Sequence, residues 1–337
     1  MAKILVLGAT GAMATYLVPE LICRGDEVVG VSLDAVTSDE PLLTYVRADA
    51  KDKAFLSDLV MQGFDAIVDF MVYNTVELFR EYFEIFRQSG AHYVFLSTYR
   101  VYAGEKPISE NSLRILDMER PSDFVTEREY SIYKAEEENM LHLSGYEKYT
   151  IVRPAVTYSS HRFQLTTLEA NVLIYRMLRG KTVVLPESAM DHEATMSWAG
   201  DVAKMLSALI LNRDAYGGVF TVSTAEHHTW REIAEIYKKL GGLKYITASD
   251  DDYLEIFGGG VYARQQLLYD RCYDRVIDNT RILHFAGMSQ KDLMPLEEGL
   301  KLELSALTEE RIAWIGCDKG MNERMDAYLE KIDNSDK

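Results

Sequence analysis

Tyr130 and Lys134 are the residues of this chain best spaced to do chemistry together. They stand four positions apart in Tyr130-Ser131-Ile132-Tyr133-Lys134, so on a helix they share one face, one turn from each other. A fixed ammonium nearby favours the phenolate and draws a tyrosine down from its ordinary value of about 10. The phenol then becomes a candidate acid and base near neutral pH. An isolated Tyr-x-x-x-Lys is common on helix surfaces, so its meaning depends on what the rest of the chain brings to it.

The elements upstream read as a nucleotide-binding frame. Residues 3 to 7 are expected to form a strand whose apolar run, Ile4-Leu5-Val6-Leu7, leads into Gly8-Ala9-Thr10-Gly11-Ala12-Met13-Ala14, followed by an amphipathic segment to Cys23. A fully apolar strand suits a parallel sheet covered on both faces. The glycines allow a tight turn, and the helix behind them aims its free N–H groups at an anion. No charged residue occurs between Gly8 and Pro19, although helix starts ordinarily favour acids, and that vacancy suits a pyrophosphate. Ala14 replaces the third glycine, a position where close helix packing tolerates alanine. Pro19 is expected to kink the helix or shorten its first turn.

Further strands are expected at 27 to 33, 44 to 48, 66 to 71, 92 to 96 and 149 to 153, alternating with helices at 52 to 61, 75 to 88 and 130 to about 145. Before the last of these helices lies a charged loop containing Pro107 and Pro121. That rhythm predicts right-handed crossovers and a Rossmann-type α/β fold, an open, doubly wound parallel sheet. At the end of the second strand Ser32 or Asp34 would meet an adenosine ribose. No arginine stands before Arg47 to accept a 2′-phosphate, so NAD is favoured and NADP left open. Asp49 either bonds the adenine amino group or caps the helix after it. The polar-free Phe70-Met71-Val72 would lie under the cofactor.

With 337 residues, 47% of them hydrophobic, the chain can bury a large core. Its net charge of −17 disfavours nucleic acid as a partner. Cys23, Cys272 and Cys317 are odd in number and far apart, and read as reduced, buried thiols. No segment approaches a membrane span or a signal peptide, so a cytoplasmic protein is expected. His227 and His228 are adjacent and face apart, and no spacing supports a metal site.

After Pro154 the pattern changes to helices at 167 to 179, 200 to 211, 229 to 240 and 296 to 310, with short strands near 182 to 185 and 219 to 222. Residues 1–154 are therefore expected to bind the dinucleotide. Residues 155–337 would form mainly a smaller α/β substrate lobe, with some segments returning to the sheet.

The glycine loop, the strand-end hydroxyl and the Tyr-x-x-x-Lys, in that order, resemble the extended short-chain dehydrogenase/reductase family, the group of NAD-dependent epimerases and dehydratases. Gly8, Gly11 and Ala14 match its glycine motif, Thr98 its catalytic serine or threonine before Val101-Tyr102, and Tyr130 and Lys134 its catalytic pair. Glu138 matches an acid on the same helix, and Val152-Arg153-Pro154 the strand that passes the nicotinamide. Trp198-Ala199-Gly200-Asp201-Val202-Ala203 resembles the segment opening a helix of the carboxy-terminal lobe. The resemblance implies that Tyr130 moves a proton on a substrate hydroxyl. Lys134 would lower the tyrosine and hold the nicotinamide ribose, and Thr98 would bond the reacting oxygen. It implies dinucleotide contacts from Gly8, Thr10, Gly11, Ala12, Met13, Ser32, Asp34, Asp49, Ala50, Phe70, Met71, Val72, Leu96, Pro154, Ala155 and Val156 besides the catalytic pair.

Departures bear on the substrate. Tyr99-Arg100 stands where the family's dehydratases carry Asp-Glu, which argues against 4,6-dehydration. Asp191-His192-Glu193-Ala194-Thr195-Met196 has no arginine for a diphosphate, so Arg162, Arg264, Arg271 or Arg275 would have to supply the clamp. Thr98, Tyr99, Arg100, Arg162, Arg264 and Arg271 are the expected substrate contacts. The leading expectation is a nucleotide-sugar 4-epimerase. A reductase or dehydrogenase of a small carbonyl or sugar comes second, and a non-catalytic dinucleotide-sensing or RNA-associated protein third. Val76, Phe79, Phe83 and Phe86 read as core or as the face of a homodimer.

Overall fold

The computed structural model describes residues 1–104, 106–119 and 129–335; Pro121 lies outside them. Seven parallel strands form the central sheet: β1 (Lys3–Leu7), β2 (Glu27–Ser32), β3 (Leu43–Arg47), β4 (Ala66–Asp69), β5 (His92–Leu96), β6 (Tyr149–Pro154) and β7 (Val219–Val222). Their order is β7-β6-β5-β4-β1-β2-β3, so the chain reverses direction across the sheet between β1 and β4. In doubly wound sheets the crevice beyond the strand ends at that reversal is where ligands sit.

Both faces of the sheet are covered. Helices α1 (Ala14–Cys23) and α6 (Ala199–Leu209) pack on one, burying Leu17, Leu21, Val202 and Leu206 against Val6 and Val68. Helices α2 (Lys53–Val60), α3 (Val76–Ser89) and α4 (Tyr130–Leu143) pack on the other, with Leu56, Phe79, Phe83 and Leu141 in one cluster. Pro19 lies inside helix α1, which continues past it to Cys23, so the proline does not bound its first turn. Asp52, not Asp49, caps α2, accepting from the N–H groups of Ala54 and Phe55. Thr75 caps α3, and Gly90 ends it in a left-handed turn at φ 70° that a glycine enters without strain.

Phe79, Tyr82, Phe83 and Phe86 are all buried, each fully buried aromatic or aliphatic side chain contributing about 1.5–3 kcal/mol. The aromatic face of α3 is therefore core and not a dimer surface; its outer face carries the exposed Glu77, Arg80, Glu81 and Arg87.

The second half builds its own core around α5 (Ala170–Met177), α7 (Trp230–Gly241) and α8 (Leu296–Ser305), with Leu173, Val184, Tyr237 and Leu300 packed together. It also returns β7 and α6 to the central sheet. The helix expected over 296 to 310 divides at Ala306, and a separate helix, α9 (Glu309–Ile315), follows. Cys23 is exposed and Cys272 and Cys317 are half-buried, so the expected burial of the thiols is not met; all three are free. Among the described residues no helix is long and apolar enough to cross a membrane.

Candidate active site

Strand β1 delivers the glycine turn. Gly8 sits at φ 81°, a left-handed conformation that side chains other than glycine enter only with strain. Gly30 on β2 leaves room for the turn, since a Cβ there would stand 2.7 Å from that of Ala9. Helix α1 starts without a side-chain cap and without an acid in its first turn. The positive end of its dipole is thus left for an anion to neutralise.

This turn opens into a cleft of about 400 Å³ lined by Gly8, Thr10, Gly11, Ala12, Met13, Ser32, Asp34, Asp49, Ala50, Phe70, Met71 and Leu96. Twelve expected dinucleotide contacts thereby meet in one place. The Thr10 hydroxyl donates to Asp34 Oδ2 at 2.6 Å and lies 2.7 Å from Ser32 Oγ, while the Asp34 N–H donates to Ser32 Oγ at 3.0 Å. Ser32 is buried beneath this knot and Asp34 is exposed above it, so of the two the acid is the one open to the cleft. An acid rather than an arginine at this point fits NAD.

Six expected contacts do not line the cleft, namely the pair Tyr130 and Lys134 and four others. Val72 turns partly to solvent, while Ala155 and Val156 belong to the second core. Pro154 ends β6 in register with Val222, and Val156–Tyr158 pairs with Met196–Trp198. The reason is the direction of the chain, which after Pro154 turns into the second lobe.

Helix α4 positions the proposed chemistry. Glu129 caps it, its carboxylate accepting from the Ser131 N–H at 2.8 Å, so Tyr130 is its first residue and Lys134 follows one turn later. Thr98 follows β5 by two residues, and its hydroxyl accepts at 3.3 Å from the Arg100 N–H. The Arg100 guanidinium lies 5.7 Å from the centre of the Tyr130 ring and ion-pairs with Glu129. Arg100 thus links the threonine to the tyrosine.

The expectation that Lys134 sets the tyrosine low is corrected. Burial pushes Tyr130 above its usual range, and Lys134, Arg100 and Arg162 pull it back only in part. Lys134 is itself buried, its ammonium 4.4 Å from the centre of the Phe95 ring. Its Nζ stands 3.0 Å from Glu137 Oε2, and among the described residues neither the ammonium nor the Glu137 carboxylate has any further hydrogen-bond partner. An ammonium with donors to spare, buried beside the strand ends, suits the hydroxyls of a nicotinamide ribose. Burial, against the pull of Lys134, raises Glu137 to about 7.

Two members of this cluster are absent from the sequence reading. Asp69 closes β4, which stops two residues short of Met71. It is buried, accepting from the hydroxyls of Tyr73 at 3.0 Å and Tyr93 at 2.7 Å, and burial raises it. Glu137 sits in Glu136-Glu137-Glu138, a run that reads as a solvated face. Its spacing of three from Lys134 is the signal that places it on the buried side. Glu138, by contrast, is saturated: Arg153 donates to it twice, at 2.8 and 2.6 Å, and Ser97 and Arg114 also donate.

Two of the four arginines expected as a diphosphate clamp are spent elsewhere. Arg271 and Arg275 are buried around Asp270, Arg275 donating to it at 3.0 Å, and Tyr99 donates to the same acid at 3.1 Å. Arg100 approaches it at 3.4 Å. These guanidiniums and Tyr99 serve a buried acid, so Tyr99, Arg100 and Arg271 are not open substrate contacts. Arg162 is half-exposed, 3.6 Å from Glu169, and acts on Tyr130 electrostatically. Arg264 is exposed on the helix Val261–Gln266.

The chain has the fold of several solved sugar-nucleotide enzymes. The Thermotoga maritima UDP-glucose 4-epimerase with UDP-glucose is 19% identical, covering 90% of this chain and 97% of its own, at a TM-score of 0.66. The Thermus thermophilus UDP-glucose 4-epimerase complex with NAD is 20% identical over 90% and 98%, at 0.64. The Bacillus anthracis dTDP-glucose 4,6-dehydratase in complex with NAD is 15% identical over 90% and 96%, at 0.67. No curated protein sequence matches the chain. The family model for the NAD dependent epimerase/dehydratase family matches residues 4–222, and with the glycine cleft already in view, this NAD-dependent enzyme family is the one to which the chain belongs.

Proposed function

We propose that this enzyme uses NAD to epimerise a sugar at a hydroxyl-bearing carbon, most simply C4 of a nucleotide sugar, as the UDP-glucose 4-epimerases it is similar to are named for. The observation that carries the reading is the buried Lys134 ammonium, ion-paired with Glu137 at 3.0 Å and, among the described residues, without a further hydrogen-bond acceptor. Bound NAD would supply the hydride acceptor for the carbinol carbon and the donor for its return to the opposite face. Lys134 would hold the ribose hydroxyls, and Asp34 those of the adenosine ribose. Thr98 would donate to the reacting oxygen and Tyr130 would take and give back its proton. Arg162 and Arg264 remain the basic residues in reach of a substrate.

The burial of Arg100, Arg271 and Arg275 on Asp270 favours a second reading, a reductase of a sugar or small carbonyl without a diphosphate. Incubating the purified protein with UDP-glucose and no added cofactor separates them. Formation of the 4-epimer supports the first reading; turnover only of a diphosphate-free carbonyl, with added NADH, supports the second.

The two-lobe division at 154/155, a cytoplasmic setting consistent with three free cysteines, and a homodimer belong to the same proposal. With the aromatics of α3 buried, such a dimer would not form through that aromatic face. A single-chain mass by light scattering at micromolar concentration would count against it.

A further inference from the structure

The cleft at the glycine turn is not the end of the site. A second cleft of about 430 Å³ shares Thr10 and Asp34 with it and is otherwise lined by Thr15, Val36, Tyr45, His161, Thr308, Glu310, Arg311 and Trp314. One wall comes from the dinucleotide half and the other from α9. Trp314 is 58% exposed, which is unusual for so large an apolar ring. It is held in place, with the Arg311 guanidinium 4.7 Å from its ring and His161 edge-on at 5.7 Å. Arg311 is within electrostatic reach of Asp34.

The mount beneath is built from a single buried carboxylate. Glu303, near the end of α8, accepts from Tyr16 on α1, from the Trp198 indole N–H at 2.5 Å and from the Ser160 N–H at 2.6 Å. It therefore ties the helix behind the glycine turn to the segment that carries His161 and to the helix that leads into α9. Thr308 then starts α9, its hydroxyl accepting from the Arg311 N–H at 3.1 Å. A helix fixed at its base and ending in an exposed aromatic ring beside the ribose-facing acid has the form of a cover.

We propose that Trp314 and Arg311 form the outer wall of the adenosine end of the NAD site, so that the substrate lobe helps retain the cofactor. The aromatic ring would shield the adenosine and the guanidinium would face its phosphate charge. The inference rests on assigning the glycine cleft to NAD. Retention of this kind is what an enzyme needs if it oxidises and then reduces the same substrate without exchanging its cofactor.

Calorimetric titration of the cofactor-stripped protein with ADP, and separately with nicotinamide mononucleotide, tests the wall without any turnover. Trp314→Ala is expected to weaken ADP about tenfold, as loss of a well-placed aromatic contact does. Arg311→Ala should weaken it about threefold, and Trp314→Phe should stay within about twofold of wild type. Nicotinamide mononucleotide should bind all four proteins alike. ADP affinity unchanged in both alanine variants would overturn the wall while leaving the glycine cleft intact. A wild-type protein that binds neither ADP nor NAD would remove the cleft assignment and the wall with it.

Discussion

Two buried charge clusters flank Tyr130, and they are built on opposite terms. Around Asp270, Arg271 and Arg275 and the Tyr99 hydroxyl close on one acid, and burial there is offset by partners, so the acid is held below its usual range. Around Lys134, one ammonium faces Glu137 with unused hydrogen-bonding capacity on both sides, and burial wins, raising Glu137 to about 7. Saturated charges hold a structure together. Unsaturated ones cost stability unless something completes them, and the group we propose for that part here is a ribose of the cofactor.

The contrast is open to attack from both sides. The largest expected effect is on chemistry: Tyr130→Phe should lower turnover by about 10²–10⁴-fold and leave the unfolding transition in place. Unchanged turnover would remove the enzymatic role of α4. Asp270→Ala should do the reverse, costing about 3–5 kcal/mol of stability because the guanidiniums around it lose their counter-charge. Urea denaturation reads this directly, and a loss below about 1 kcal/mol would mean the cluster is not the structural one.

A third site shows the same logic with pH. His92 is buried, its Nδ1 accepting from the Leu211 N–H at 2.9 Å and its Nε2–H facing Thr150 Oγ1 at 2.9 Å, and burial lowers it to about 4. The folded state therefore refuses a proton that the unfolded chain takes up below about 6.5. Stability should be full above that pH and fall by about 3 kcal/mol as pH drops to 4, a slope that denaturant titration should find reduced in His92→Gln.

The smallest effect, and the most diagnostic, is Glu137→Gln. As pH rises through about 7 the carboxylate gains charge and opposes the help Lys134 gives Tyr130. Asp69, Tyr73, Tyr93 and Glu138 face the same region, and none of them is changed by this substitution. The variant should keep its stability or gain slightly, shift kcat by less than about tenfold, and lose the inflection near pH 7. A pH profile that keeps the inflection would assign it elsewhere.

Much of this was legible in the sequence because it rests on local rules. The apolar run Ile4–Leu7 announces a strand buried on both faces, and Gly8 to Ala14 without a charge announces an anion site; twelve of the expected dinucleotide contacts meet in the cleft. What was not legible depends on distance along the chain. Tyr99 and Asp270 lie 171 residues apart, so nothing local says that the arginines near 270 are spent on an internal acid. Helix α9 reads as the tail of a longer helix until Ala306 ends α8 and Thr308 begins another. Glu137 lay between the two cases, hidden in an acidic run whose helical phase turns two of its three members inward.

The affinity of the Lys134→Met protein for NAD against ADP tests the central claim most directly. If the buried ammonium is completed by the nicotinamide ribose, NAD should weaken at least about tenfold, or 1.4 kcal/mol, while ADP, which lacks that ribose, binds as to wild type. Equal NAD affinity in variant and wild type would contradict it.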